Sequence, residues 1–174
     1  MRPFFYLCTA GLGIWISSNA LAATQKNTTT NFAPLDYFNT SCARCHGDYG
    51  SFYGETFGKT LSDEKMLEVV KEMAEGPAQA PLEEKNLKVL VAYHTALRDG
   101  KPFLHVVSST KSTTGWKLNG EATPNSTLRW NQQTIELKGH KWELELPANG
   151  PFLLQASKNG TSQDINLQPH IEEP

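Results

Sequence analysis

Asn39-Thr40-Ser41-Cys42-Ala43-Arg44-Cys45-His46-Gly47 is the stretch on which the reading of this 174-residue chain turns. Two thiols separated by two residues can close a tight redox disulfide, chelate a metal with partners elsewhere, or hold a haem. His46, directly after the second thiol, separates these chemistries. A zinc site needs further soft ligands, and the third cysteine, Cys8, stands alone far upstream. A thioredoxin-like site needs a βαβ pattern around it, and the flanks carry none. C-x-x-C-H is the spacing for covalent haem attachment. The thiols of Cys42 and Cys45 add across the porphyrin vinyl groups, and the peptide turns beneath the ring to deliver His46 to the iron from the proximal side. One covalent haem c is therefore the expected cofactor.

The amino terminus agrees with that chemistry, because c-type haem is attached outside the bacterial cytoplasm. Arg2 is the single charge in residues 1–22, residues 7–16 are almost wholly apolar, and Ala20-Leu21-Ala22 ends the run in small-x-small form. This predicts a secretory signal peptide over residues 1–22, cleaved after Ala22, and a periplasmic protein. The apolar run is shorter than the ~20 residues that span a bilayer. No later segment is more apolar, so no membrane span is expected in the mature chain. Cys8 leaves with the signal. Removing Arg2 takes the formal charge from −2 to about −3, a balance that argues against a general nucleic-acid binder. Residues 23–34, polar and threonine-rich at first, read as a flexible leader.

Downstream of the motif, two regimes of hydrophobic spacing meet near residue 103. Residues 36–43 predict a first helix feeding the cysteines, and the Gly- and aromatic-rich stretch 47–59 predicts a loop packed on a flat ligand. Ser62 is a good N-cap, and Asp63 and Glu64 suit the positive end of a helix dipole. Met66, Val70, Met73 and Ala74 recur at helical spacing until Gly76-Pro77. A further helix, from near Pro81, sets Leu87, Leu90, Val91, His94 and Leu97 on one stripe and ends at Asp99-Gly100. Beyond His105 the runs become short and β-branched or alternating. They predict strands over 106–109, 115–118, 127–130, 134–137, 142–146, 152–157 and 164–167. Asn119-Gly120, Asn149-Gly150 and Asn159-Gly160 are the expected turns. Trp142, Leu144 and Leu146 alternate with Glu143 and Glu145, one face inward and one in water. The expected fold class is α + β as two domains: a helical domain over 35–103 and a small antiparallel β-sandwich over 104–174.

With Cys42 to Gly47, a helix leading to Gly76 and a last helix carrying Val91-Ala92-Tyr93, residues 35–103 resemble a monohaem class I c-type cytochrome. The resemblance implies an all-α cytochrome c fold that encloses the haem with an edge exposed, with Tyr93 packing where the terminal helix crosses the first. That family supplies a distal methionine followed by proline just after the helix that ends at the glycine; here the place reads Ala80-Pro81. Met73, one turn before Gly76, is the nearest substitute as distal iron ligand and would keep the potential high. Its other reading is a core methionine like Met66, one heptad earlier. His94 is the alternative distal ligand, because the family often has a haem-touching leucine directly after the tyrosine. Its other reading is a satisfied core histidine. His105 sits at the domain joint, and His140 and His170 read as surface positions. Tyr49, Phe52, Tyr53 and Phe57 could pack on the porphyrin, and Arg44 and Lys59 could pair with its propionates; core packing and solvated charge are the plainer readings.

The β-rich segment weakly resembles the immunoglobulin-like modules of secreted proteins. It shows no Ser/His/Asp set, no metal-ligand cluster and no glycine-rich phosphate loop, which makes it a docking or spacer element. The implied function is electron transfer rather than catalysis. The redox partner protein would be met freely, or within a larger periplasmic oxidoreductase docked through the β domain. The alternative is an open distal site serving a gas sensor or a small-molecule redox enzyme.

Overall fold

Helix α1, Pro34–Ser41, begins on a proline, whose fixed φ suits the first turn, and buries Pro34, Leu35 and Phe38. The computed structural model describes residues 31–167. The expected signal peptide, residues 23–30 of the leader and His170 lie outside the described residues. The one-turn helix α2, Ala43–His46, follows α1 across a break at Cys42. An irregular segment containing the 3₁₀ turn Asp48–Gly50 leads to α3, Asp63–Glu75. Ser62 caps α3 by accepting a hydrogen bond from the Lys65 amide at 3.2 Å, and Met66, Val70 and Ala74 form its buried stripe at a spacing of four. Helix α4, Glu84–Arg98, buries Leu87, Leu90, Tyr93 and His94. These helices and Phe103 enclose one apolar cluster around Phe38, Leu90 and Tyr93. No helix among the described residues is long and apolar enough to cross a membrane.

Seven strands follow: β1 Leu104–Lys111, β2 Gly115–Ala122, β3 Thr127–Trp130, β4 Gln133–Ile135, β5 Lys141–Pro147, β6 Phe152–Lys158 and β7 Thr161–Leu167. They form two sheets, ordered β1-β2-β5 and β4-β3-β6-β7, with antiparallel neighbours throughout. A second apolar cluster draws on both sheets, among it Leu118, Leu128, Trp142, Leu154 and Ile165. In β5, Trp142 and Leu146 are buried while Glu143 and Glu145 are exposed, as alternation requires. Asn159 and Gly160, at φ 51° and 78°, make the two-residue turn between the paired ends Lys158 and Thr161, the left-handed geometry that matches strand twist.

Asn119-Gly120 behaves differently from expectation. It runs through β2 instead of turning, with Gly120 opposite Trp142. A Cβ on Gly120 would lie 2.1 Å from Trp142 Cζ2 and 2.3 Å from the His105 carbonyl oxygen. Glycine stands there because the Trp142 indole occupies the space a Cβ would need.

The expected fold class is overturned. Among the described residues the fold is mixed, with four short helices and seven strands in two antiparallel sheets, the strands filling the C-terminal half, and no all-α cytochrome c domain is evident there. The physical reason lies in how the helical part closes. Ala33, at the N-cap of α1, offers no side-chain cap. The orphan amides of that helix instead bond a carboxylate from the sheet: Leu35 N–H donates to Glu121 Oε2 at 2.7 Å and Asp36 N–H to Glu121 Oε1 at 3.1 Å. The Asn31 amide donates to the Val107 carbonyl of β1 at 3.0 Å, and Phe103 and Thr123 exchange hydrogen bonds. Helix α1 thus takes its cap from the sheet, and the chain on either side of the helices is bonded to it.

Candidate functional site

Cys42, Cys45 and His46 lie within a single helical turn. The amides of Cys45 and His46 both donate to the Cys42 carbonyl at 3.1 Å, so positions i, i+3 and i+4 share one face. Both thiols are free, Cys42 half-buried and Cys45 exposed. Burial, with the neighbouring Cys45 adding to it, pushes the Cys42 thiol above its ordinary value. An attacking redox cysteine needs the opposite shift.

The chain after the motif folds back tightly over it. Gly47 takes φ 73°, and the Phe52 amide returns to the His46 carbonyl at 2.9 Å. Tyr49 is held at φ 54°, an unusual conformation for a side-chain-bearing residue. It is fixed at both ends: its amide donates to Asn39 Oδ1 at 3.0 Å, and its hydroxyl meets His140 Nδ1 at 2.9 Å.

Aromatic rings wall the inner side of the motif. The His46 ring lies 4.9 Å from Tyr53 and 6.4 Å from Phe38, centroid to centroid, and Tyr53 stacks on Phe57 at 3.8 Å. His94, on α4, borders the same two rings, at 5.6 Å from Phe38 and 6.2 Å from Tyr53. Tyr93 packs edge-on against Phe38 and Phe103. Two free thiols, an adjacent imidazole and an apolar aromatic wall are the donor set and surroundings that a covalent haem requires, and these residues fit that group. Phe52, by contrast, projects into solvent, and Arg44 and Lys59 are exposed.

The two distal candidates are placed unlike each other. Met73 points outward from α3 and is 43% exposed, whereas His94 is 6% exposed. Burial pulls the His94 imidazole down to about 4, and the His46 ring contributes in the same direction. The segment that holds Ala80-Pro81 is pinned to α1, where the Tyr37 hydroxyl donates to the Ala80 carbonyl.

A second polar cluster was invisible from the sequence. Asp36, Glu121 and His140 place their ligand atoms within 4.8 Å of one another. His140 Nε2 lies 2.8 Å from Asp36 Oδ1 and 3.4 Å from Glu121 Oε1, and Lys141 Nζ lies 2.7 Å from Asp36 Oδ2. Burial opposes ionisation of Asp36, yet Lys141 and His140 outweigh it and hold the carboxyl below its ordinary value. Glu121, 1% exposed, is pushed upward by burial against its two amide donors. Three residues with metal-ligand chemistry meet here, but their lone pairs are already engaged by amides, Tyr49 and an ammonium. The cluster works as the junction between helices and sheet. His140, expected at the surface, is half-buried within it; its partner Asp36 is 104 residues away, a separation that no local pattern encodes.

Comparison with protein families, curated proteins and solved structures gives no match to this chain.

Proposed function

We propose that this chain is an exported electron-transfer protein carrying one covalent haem c on Cys42 and Cys45, with His46 as the proximal iron ligand. The observation that supports it best is the single turn that places both free thiols and the imidazole on one face beside an aromatic wall. Bound haem supplies an iron that alternates between ferric and ferrous states. The protein's own part is positioning and exclusion of water. Cys42 and Cys45 hold the group by two bonds, and His46 orients toward the iron from the turn that carries them. Phe38, Tyr53 and Phe57 keep the inner side apolar, which limits solvent reorganisation when the charge changes. Cys45 lies at the solvent edge, where a redox partner could approach through the small contact typical of such encounters. The sheet half, joined to the motif segment through His140 and Tyr49, suits a rigid support that could also dock a larger periplasmic oxidoreductase.

The test is to produce the chain, signal included, in a bacterium with an active cytochrome c maturation system. The expected product is coloured, keeps its haem through denaturing electrophoresis, and resists thiol alkylation. Cys42→Ala and Cys45→Ala each reduce retained haem severely. A colourless product with both thiols free, or bridged to each other, overturns the reading.

A further inference from the structure

His94 is a buried imidazole for which attachment through Cys42, Cys45 and His46 provides no task. It stands on the apolar stripe of α4 with Leu87, Leu90 and Tyr93, where an aliphatic side chain would pack without a polar group to satisfy. Its two nitrogens are treated unequally. Nδ1 lies 2.9 Å from the Leu90 carbonyl one turn earlier. A carbonyl only accepts, so Nδ1 carries the proton and the lone pair is left on Nε2. Histidines that bind metals are prepared in this way, the far nitrogen donating to a backbone carbonyl while the near one stays free to ligate. Nε2 has only the Tyr53 hydroxyl, at 3.4 Å, beyond the range of a good O–H···N bond.

Its surroundings point the same way. His46 and His94 border the same pair of rings, Phe38 and Tyr53. His94 is 6% exposed, so its Nε2 has no access to bulk water as a partner. Of the rings beside them, Phe38 is fixed on α1, whereas Tyr53 and Phe57 belong to the irregular segment between α2 and α3, so these two can shift without breaking a helix or strand. The methionines compete poorly. Met73 faces solvent, and Met66, 1% exposed, is packed against Gly58, where its Cε lies 2.8 Å from the place of a Cβ.

We propose that His94 Nε2 is the second axial ligand of the haem iron, opposite His46, giving a bis-histidine centre. This rests on the attachment reading above and goes beyond it, because two imidazoles stabilise ferric iron more than an imidazole and a thioether do. The protein would then serve low-potential partners.

The holoprotein as matured in the periplasm decides the matter by spectroscopy. The expected wild-type ferric spectrum is low-spin, without the far-red methionine-to-iron band. Its near-infrared and electron paramagnetic resonance signals should be those of two imidazoles, and the ferrous form should bind carbon monoxide weakly. His94→Ala becomes high-spin and binds carbon monoxide and cyanide readily, and added imidazole restores the low-spin spectrum. His94→Met gains the far-red band and a higher potential, while Met73→Ala leaves the wild-type spectrum unchanged. A far-red band in the wild type that disappears in Met73→Ala overturns the inference, as does a wild type that is already high-spin. The wild-type signals identify the ligand types and the variants assign the residue: if His94→Ala fails to fold, His94→Met, which keeps a ligand at that position, decides, and a bis-imidazole spectrum that persists in either variant overturns the inference. A colourless chain overturns the attachment reading and this inference together; a coloured chain with the wrong axial ligand overturns only this one.

Discussion

His105 illustrates how one side chain couples this fold to pH. Burial pulls its imidazole down to about 4, against a backbone hydrogen bond to Phe32 that raises it, and its Nε2 is buried without a partner among the described residues. The ring stacks on Phe103 at 6.1 Å, just where the last helix gives way to the first strand. The unfolded chain takes up this proton near 6.5, the fold only near 4. The contribution of His105 is therefore fully present above pH 6.5, falls away as pH drops through the window from 6.5 to 4, and levels off below it. Over that window the loss is about 3 kcal/mol. Urea unfolding at a series of pH values should show it as the difference between wild type and His105→Leu, with the variant less sensitive by about one proton. Equal slopes in the two proteins would mean that the imidazole is not held neutral in the fold.

At the scale of elements, two helices are capped by opposite strategies. Helix α3 carries its own cap, Ser62, one residue before it starts. Helix α1 has Ala33 in that position and takes its cap from Glu121, more than eighty residues away on β2. The energetic consequences differ. Ser62→Ala removes one exposed side-chain hydrogen bond and should cost about 1 kcal/mol. Glu121→Ala strips two amides of their acceptor, takes one of the two carboxylates from His140, and opens a cavity, so about 3 kcal/mol is expected. Chemical denaturation of both variants measures the ratio, and a smaller loss for Glu121→Ala would show that water satisfies the α1 amides equally well. The strands show how alternation is read out. Each of the seven expected runs overlaps an observed strand, because period-two patterning against a buried face leaves little freedom of register. The expected turn at Asn119-Gly120 failed for a specific reason: the dipeptide signals a turn only if nothing else requires a missing Cβ, and here the Trp142 indole does.

For the whole molecule, the junction formed by Asp36, Tyr49, Glu121, His140 and Lys141 ties the helical part to the sheet. Residues 31–103 produced alone should lose helical circular dichroism relative to the same residues in the full chain, since α1 loses its acceptor and the Asn31 amide loses Val107. Undiminished helicity in that fragment would show that the helices close without the sheet. The sequence alone carried the parts whose causes are local: the thiol–thiol–imidazole spacing, the Ser62 cap, the burial stripes of α3 and α4, and the alternation of the strands. Each depends on neighbours within a turn or a strand, so each can be read in a short window. Only the tertiary structure decided that the helices are joined to two antiparallel sheets through a shared polar junction, that Glu121 and His140 serve a helix at the other end of the chain, and that His94 rather than Met73 lies beside the rings bordering His46. Those outcomes depend on contacts across eighty to a hundred residues, where burial and unpaired backbone donors choose the partner and no periodicity records the choice.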